Sequence, residues 1–200
     1  MKYAIGIIGV TFLLLNACAI KPKYLSNDFT APGMIAVLPM HNHTNDLDGP
    51  DMVRRLMYEL LPQRGYTSLA LPMIDEKLRE HGITDGGQLS AVNPQELASW
   101  LGVDGLLFGD LLEFGYLNVG FYRRRLVQAE FRLVDARTGE KLWVDERTVS
   151  RKEITLDSKE ARKAFAVGLA EKTIGSMLNV HLKREARECV TKILRTLPPY

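Results

Sequence analysis

Hydrophobic positions change their spacing repeatedly along this chain, and each change marks an element. Ile5 to Leu15 form an almost uninterrupted apolar stretch of about eleven residues behind Lys2. The run gives way at Lys21-Pro22-Lys23, short of the roughly 20 apolar residues a membrane-spanning helix needs. From Ala19 to Gly33 no period is visible, and Lys21, Pro22, Lys23, Ser26, Asn27, Asp28 and Pro32 are interspersed. Residues 18–33 therefore read as a flexible tether. Met34 to Leu38 is a short continuous apolar run, the pattern of a strand covered on both faces, and Pro39 should end its pairing. His41 to Pro50 is loop by composition.

Spacings of one, three and four follow. Met52, Val53, Leu56, Met57, Leu60 and Leu61 share one side of a helix running to about Arg64, with Asp48 or Asp51 available to cap it and Gly65 to end it. Tyr66 to Leu71 reads as a second short strand. Pro72 then opens a helix with Ile74 and Leu78 inward, stopping at Gly82. Asn93-Pro94-Gln95-Glu96 has the form of a capped helix start, with Leu97, Ala98 and Leu101 as its inner stripe and Gly102 closing it. Val103 and Gly105 to Gly109 form another buried strand reaching towards Phe114.

The period then drops to two. Val127, Ala129, Phe131 and Leu133 alternate with Gln128, Glu130, Arg132 and Val134, as in a strand with one wet face. Ala136-Arg137-Thr138-Gly139 is a tight reversal, and Glu140 to Val144 returns antiparallel. Beyond Ser158 the pattern is helical: Val167, Ala170, Ile174, Met177, Leu178, His181 and Leu182 make one stripe, Val190, Ile193, Leu194 and Leu197 another. Both are expected to pack against the domain, and Pro198-Pro199 stops the last helix.

Charge narrows the partners. The 200 residues carry 26 basic and 24 acidic side chains, which argues against a nucleic-acid partner, since that needs a clustered basic face. The dense run Arg123-Arg124-Arg125 sits at the start of a strand pattern and reads as a solvated strand end.

Leu15-Asn16-Ala17-Cys18 follows the positive start and the apolar core in register. This arrangement resembles the signal peptide of bacterial lipoproteins. The resemblance implies cleavage between Ala17 and Cys18, S-diacylglyceryl and N-acyl groups on Cys18, and attachment to a membrane through that lipid. No other cofactor is expected. Ala19 stands where aspartate is the family's inner-membrane retention signal, so the outer membrane is the expected address, with the domain in the periplasm or at the surface. Cys189 is then left without an intramolecular partner. Burial in its helix and an intermolecular bridge are the two readings, with burial preferred.

Three landmarks carry a second resemblance. Ile35 to Pro39 before a polar loop, Leu101 to Gly109, and Arg132 to Trp143 occur in that order and resemble a group comprising the curli-secretion lipoprotein CsgG, the penicillin-binding-protein activator LpoB and the N-terminal domain of TolB. In length and ending the chain is similar to a family of bacterial lipoproteins of unknown function that includes a neisserial surface-antigen candidate. The resemblance covers roughly residues 34–150. It implies a single-domain α/β sandwich, a mixed β-sheet with helices packed on its faces plus C-terminal helices, serving as a non-catalytic docking, assembly or transport accessory. Partners would be other envelope proteins or a second copy. The expected layout is a removed signal over 1–17, a lipidated tether over 18–33 and a domain over 34–197, with its sheet core at 34–150 and its C-terminal helices at 158–197. A pore of CsgG type needs long lipid-facing hairpins, and Glu130, Arg132, Asp145 and Arg147 make the hairpin around Arg137 too charged for that.

Catalytic signatures are scarce. Neither a Gly-x-Ser-x-Gly turn nor a phosphate loop occurs, and Asp104, Asp110 and Glu113 read as hydrated acids flanking one strand. His41 and His43, with Asp46 or Asp48, are the candidate metal ligands, because imidazole and carboxylate suit zinc. A metal or small ligand held by the His41–Asp48 loop is thus the alternative to a docking role.

Overall fold

The computed structural model describes residues 20–119, 121–154 and 176–200. Ala17 and Cys18 lie outside them, as do Val167, Ala170 and Ile174 of the first C-terminal stripe. The side chains of Met177, Leu178 and His181 lie outside as well.

Eleven elements follow in order: β1 (Tyr24–Leu25), β2 (Met34–Val37), β3 (His41–Asn42), α1 (Gly49–Leu60), β4 (Thr67–Ser68), α2 (Leu71–Glu80), α3 (Pro94–Leu101), β5 (Gly105–Asn118), β6 (Tyr122–Asp135), β7 (Lys141–Ile154) and α4 (Ser176–Leu194). Two 3-10 turns, Leu61–Arg64 and Gly86–Ala91, join them. The strands make one mixed sheet in the order β1-β7-β6-β5-β2-β4, with β3 also on β5. β5, β6 and β7 form an antiparallel meander, β2 runs parallel to β4 and β5, and β1 closes the edge antiparallel to β7.

Each face of the sheet carries its own core because strand side chains alternate. Ile35, Val37, Leu107, Phe131, Leu133 and Trp143 point to one face and meet Val53, Leu56, Met57 and Leu60 of α1 and Ala186, Cys189, Val190 and Ile193 of α4. Ala36, Leu38, Leu106 and Val134 point to the other and meet Ile74 and Leu78 of α2 and Leu97 and Leu101 of α3. The α/β sandwich with helices on both faces of a mixed sheet is therefore present. No helix among the described residues is long and apolar enough to cross a membrane.

Local chemistry explains the boundaries. Asn93 Oδ1 accepts from Gln95 N, Pro94 occupies the first turn, and Gly102 ends α3 at φ 69°. Asp135 Oδ1 accepts from the Arg137 and Thr138 amides, and Gly139 takes φ 74°, which sets the β6–β7 turn. The start of α1 is capped differently from the sequence expectation. Asp48 occupies the cap position without a side-chain cap bond, Asp51 lies in the first turn, and Asp46 Oδ1 accepts from the Asp48 and Gly49 amides.

Four stretches differ from their sequence reading. The tether is laid on the domain from Lys21 onward: Arg147 donates to Lys21 O, Tyr24 and Leu25 pair with Val144 and Trp143, Ser26 N donates to Leu142 O, and Phe29 and Ala31 pack on the core. The loop after Pro39 opens with a strand, because the chain rejoins β5 at Asp110 as soon as the proline's missing N–H is passed. The second short strand is confined to Thr67–Ser68. Finally, β5 runs to Asn118 and β6 starts at Tyr122, which makes a second, unforeseen hairpin; Arg123-Arg124-Arg125 stands at the start of β6 as expected, but half-buried.

Candidate functional site

β3 puts chemistry on the sheet. His41 and His43 are two residues apart in an extended segment, so their rings lie side by side with centroids 4.0 Å apart. The parallel register sets His41 against Asp110 of β5. Asp110 Oδ1 lies 3.1 Å from His43 Nε2 and 3.5 Å from His41 Nδ1. Each of the three residues offers a ligand atom within 4.8 Å of the others. The imidazoles are about half exposed and the carboxylate is partly covered.

The surroundings hold β3 in place. Gly86 packs so closely that an added Cβ would meet the Met40 carbonyl oxygen at 2.2 Å. Its turn is locked by a capping box between Asp85 and Gln88. On the far side, Asn42 donates to Asp46 O and accepts from the Thr44 amide and hydroxyl, so the loop folds back on itself. An open depression of about 410 Å³, lined in part by His43, Asp46, Glu113 and Tyr116, adjoins the cluster.

Two nitrogens and one carboxylate oxygen from a rigid strand pair fit a zinc-like cation with open coordination positions for water or a ligand atom. The histidines expected from the sequence are thus brought together, but the acid is Asp110, not Asp46 or Asp48, since Asp46 is occupied at the start of α1. Local spacing carries no signal for Asp110, because a parallel pairing joins it to His41 from 69 residues away. His81 is stacked on Trp100 at 3.8 Å, outside the cluster. Asp104 accepts from Met34 N and so serves the β2 backbone rather than a site.

Beside this cluster, the same sheet face carries Glu130 and Glu146 as cross-strand neighbours. Two carboxylates side by side repel unless a cation joins them. Lys23 supplies it, 2.5 Å from Glu130 and 2.8 Å from Glu146. Its ammonium is held well above the usual lysine range by those two carboxylates, and the Lys23 hydrogen bond holds the Glu146 carboxyl below the ordinary glutamate value. Cys189 is fully buried on the opposite face. Its thiol donates to Arg147 O at 3.2 Å, and burial pushes its pKa up to about 12. The buried reading of this cysteine therefore holds, and it is a free thiol.

Comparison with known proteins agrees with the fold. The chain is 29% identical over 142 residues to the putative lipoprotein NMB1124/NMB1162 of Neisseria meningitidis serogroup B, covering 68% of this chain and 66% of that protein, just under two thirds of its length. The structure is similar to lipoprotein GNA1162 from Neisseria meningitidis (TM-score 0.58, 23% identity, 71% of this chain, 99% of that one). It is also similar to a PelC dodecamer from Paraburkholderia phytofirmans (TM-score 0.52, 17% identity, 88% and 95%). More distantly, it resembles the C-terminal domain of LpoB from Escherichia coli (TM-score 0.46, 18% identity, 63% and 88%). Over residues 24–183 the sequence matches the family described as "Putative lipoprotein GNA1162-like", and the chain belongs to that family.

Proposed function

We propose that the mature protein starts at Cys18, is anchored to the outer membrane by lipid on that residue, and acts as a non-catalytic docking component in envelope assembly or transport. The observation that carries this reading is the lipoprotein-type cleavage sequence Leu15-Asn16-Ala17-Cys18, six residues ahead of β1 at Tyr24 in a member of a lipoprotein family. A second acyl chain makes such anchoring durable, which one chain alone does not. The docking role is supported by the employment of the candidate acids. Asp104 holds the β2 backbone, Asp110 holds two histidines, and Glu130, which faces Asp110 across the strands, is taken up with Glu146 by Lys23, so each of these acids already has a structural partner. Partners would be other envelope proteins or a second copy of this chain.

Intact-mass measurement on protein extracted from membranes tests the anchor: a chain beginning at Cys18 with diacylglyceryl and acyl groups is expected, and Cys18→Ala should remain unprocessed. An unmodified thiol at Cys18 would end this reading. In-cell cross-linking tests the docking role, and a strictly monomeric protein with no envelope neighbour would end that part.

A second reading is favoured by one specific observation, the convergence of His41, His43 and Asp110. It is that the protein binds a divalent cation there. Protons compete with a cation for the ligand nitrogens, so affinity should fall on acidification. Calorimetry with zinc is expected to show binding lost in the His41→Ala/His43→Ala pair and weakened in Asp110→Asn. Equal heats from parent and double variant would reject it.

A further inference from the structure

The distal end of the β5–β6 hairpin combines features that the docking role leaves unused. Leu117, Val119, Phe121 and Ile154 are large apolar side chains 48%, 43%, 63% and 67% exposed. The register gathers them: Ile154 pairs with Tyr122 at the base of the turn, and Leu117 pairs with Arg124. Arg124 in turn lies directly opposite Lys152. Like charges facing each other across strands are unfavourable. On the opposite side of the hairpin, the facing pair Arg125 and Arg151 is neutralised by Glu153, Glu185 and Glu188. Among the described residues Arg124 and Lys152 have no such acid, and Arg124 Nε is buried without a hydrogen-bond partner. An apolar tip with two uncompensated cations beside it fits a surface that is greasy inside and anionic at its rim.

The path of the N-terminal segment says which surface. β1 is antiparallel to β7, and Arg147 donates to Lys21 O at 2.7 Å, so the chain read backward from Tyr24 travels towards the hairpin tip. Cys18 is three residues before Lys21, which limits it to about 11 Å from that point. Ile154 is seven residues past Arg147 along β7, about 23 Å further in the same direction. Even with those three residues fully extended towards it, the tip lies at least about 12 Å beyond the anchoring residue along the strand direction, enough to span the 5–10 Å by which apolar faces sink into the boundary between headgroups and acyl chains.

We propose that this tip is a second membrane contact: Phe121 and its apolar neighbours enter the headgroup boundary of the bilayer that holds Cys18, and Arg124 with Lys152 lie among anionic phospholipid headgroups. The proposal rests on the anchoring of Cys18. Lipid on a single residue leaves the domain free to swivel, and a second contact fixes its orientation. The proposal thus explains how the opposite end of the sheet is presented to a partner at a set height. Each basic side chain near an anionic surface strengthens partitioning by roughly fivefold, so the two cations make the contact sensitive to lipid charge.

The test uses full-length lipidated protein reconstituted in phosphatidylethanolamine/phosphatidylglycerol vesicles, with or without brominated acyl chains as quenchers. Phe121→Trp reports the tip. Leu47→Trp, 88% exposed in the loop after β3, reports a site away from it, and the parent corrects for Trp100 and Trp143. The Phe121→Trp emission is expected to shift to the blue and lose about half its intensity to the brominated chains, whereas Leu47→Trp stays unquenched. Replacing phosphatidylglycerol by neutral phosphatidylcholine, or Arg124 and Lys152 by Gln, should weaken that quenching. No quenching at position 121 in protein whose mass shows lipid on Cys18 overturns the tip contact while leaving the anchor intact. Equal quenching at both positions overturns it in favour of a domain lying flat. A blue shift that tracks protein concentration and ignores bromine overturns it in favour of a second copy covering the tip. If the mass shows no lipid at Cys18, the anchor falls, and this proposal falls with it.

Discussion

At Thr196 one hydroxyl serves several groups. It lies 2.9 Å from Asp145 Oδ2 and 2.8 Å from the Ile193 carbonyl, either of which can take its proton, and it accepts the indole N–H of Trp143 at 3.3 Å. Asp145 is almost fully buried, and its other partner is Arg147 Nε, on the same oxygen at 2.8 Å. Thr196→Val keeps the shape and removes the hydroxyl, so the indole loses its acceptor and the carboxylate one donor. A loss of about 1–3 kcal/mol is expected, read as a lower urea midpoint at unchanged slope. Cys189 gives a second test at this scale. Its pKa, pushed up to about 12 by burial, keeps the thiol protonated, and only the thiolate is nucleophilic. Iodoacetamide at mildly alkaline pH should leave native Cys189 unlabelled and react once denaturant opens the helix. Rapid labelling of the folded protein would show the helix–sheet contact to be open in solution.

Elements were legible where a residue's own chemistry sets the boundary. Pro72, Gly82, Asn93, Pro94 and Gly102 delimit α2 and α3, and Gly139 marks the β6–β7 turn, because a fixed φ, a missing N–H or a positive φ acts locally. β1 and β3 were not legible, since each is two residues long and exists only through its partner's backbone. The outer hairpin was hidden for two reasons. A bulge between Leu111 and Glu113 resets the alternation, so Leu111 and Phe114 face one core three residues apart. Between Tyr122 and Leu126 every residue is half-buried, so no period of two shows there. The His41–His43 pair was legible from its spacing, whereas Asp110 required the sheet. The clasp on β1 yields a pH prediction. Glu146 has its folded-state pKa lowered from 4.5, chiefly by the hydrogen bond from Lys23. A depressed carboxylate adds stability above the unfolded value, and that stability is lost as pH falls through the folded one. The Lys23 side chain is half exposed, so screening keeps the gain below about 1 kcal/mol. Lys23→Met is expected to destabilise by that amount at neutral pH, and the gap from the parent should close on acidification below 4.5. A gap that stays constant down through that range would assign the effect of Lys23 to packing.

For the whole molecule, the two sheet faces have different duties. One is covered along its length by α1 and α4, while α2 and α3 cover the other only near Leu106 and Val134, leaving the row from His41 and Asp110 to Glu130, Glu146 and Lys23 open. Stability should therefore concentrate on the first face and chemistry on the second. The last residues make the separation testable. Leu197 is buried in the first core, its carbonyl accepts from the Arg64 guanidinium, Tyr66 Oη donates to Pro198 O, and Tyr200 N donates to Arg64 O. Removing residues 197–200 deletes one buried leucine and these bonds, an expected loss of about 3 kcal/mol. For a domain of this size that lowers Tm by roughly 6–12 °C. His41, His43 and Asp110 lie across the sheet from that tail, so zinc calorimetry well below the new Tm should match the full chain. If the truncated protein melts as the parent does, the tail is not part of the first core. If it stays folded but its zinc response changes, the two faces are coupled through the sheet and the division of duties fails.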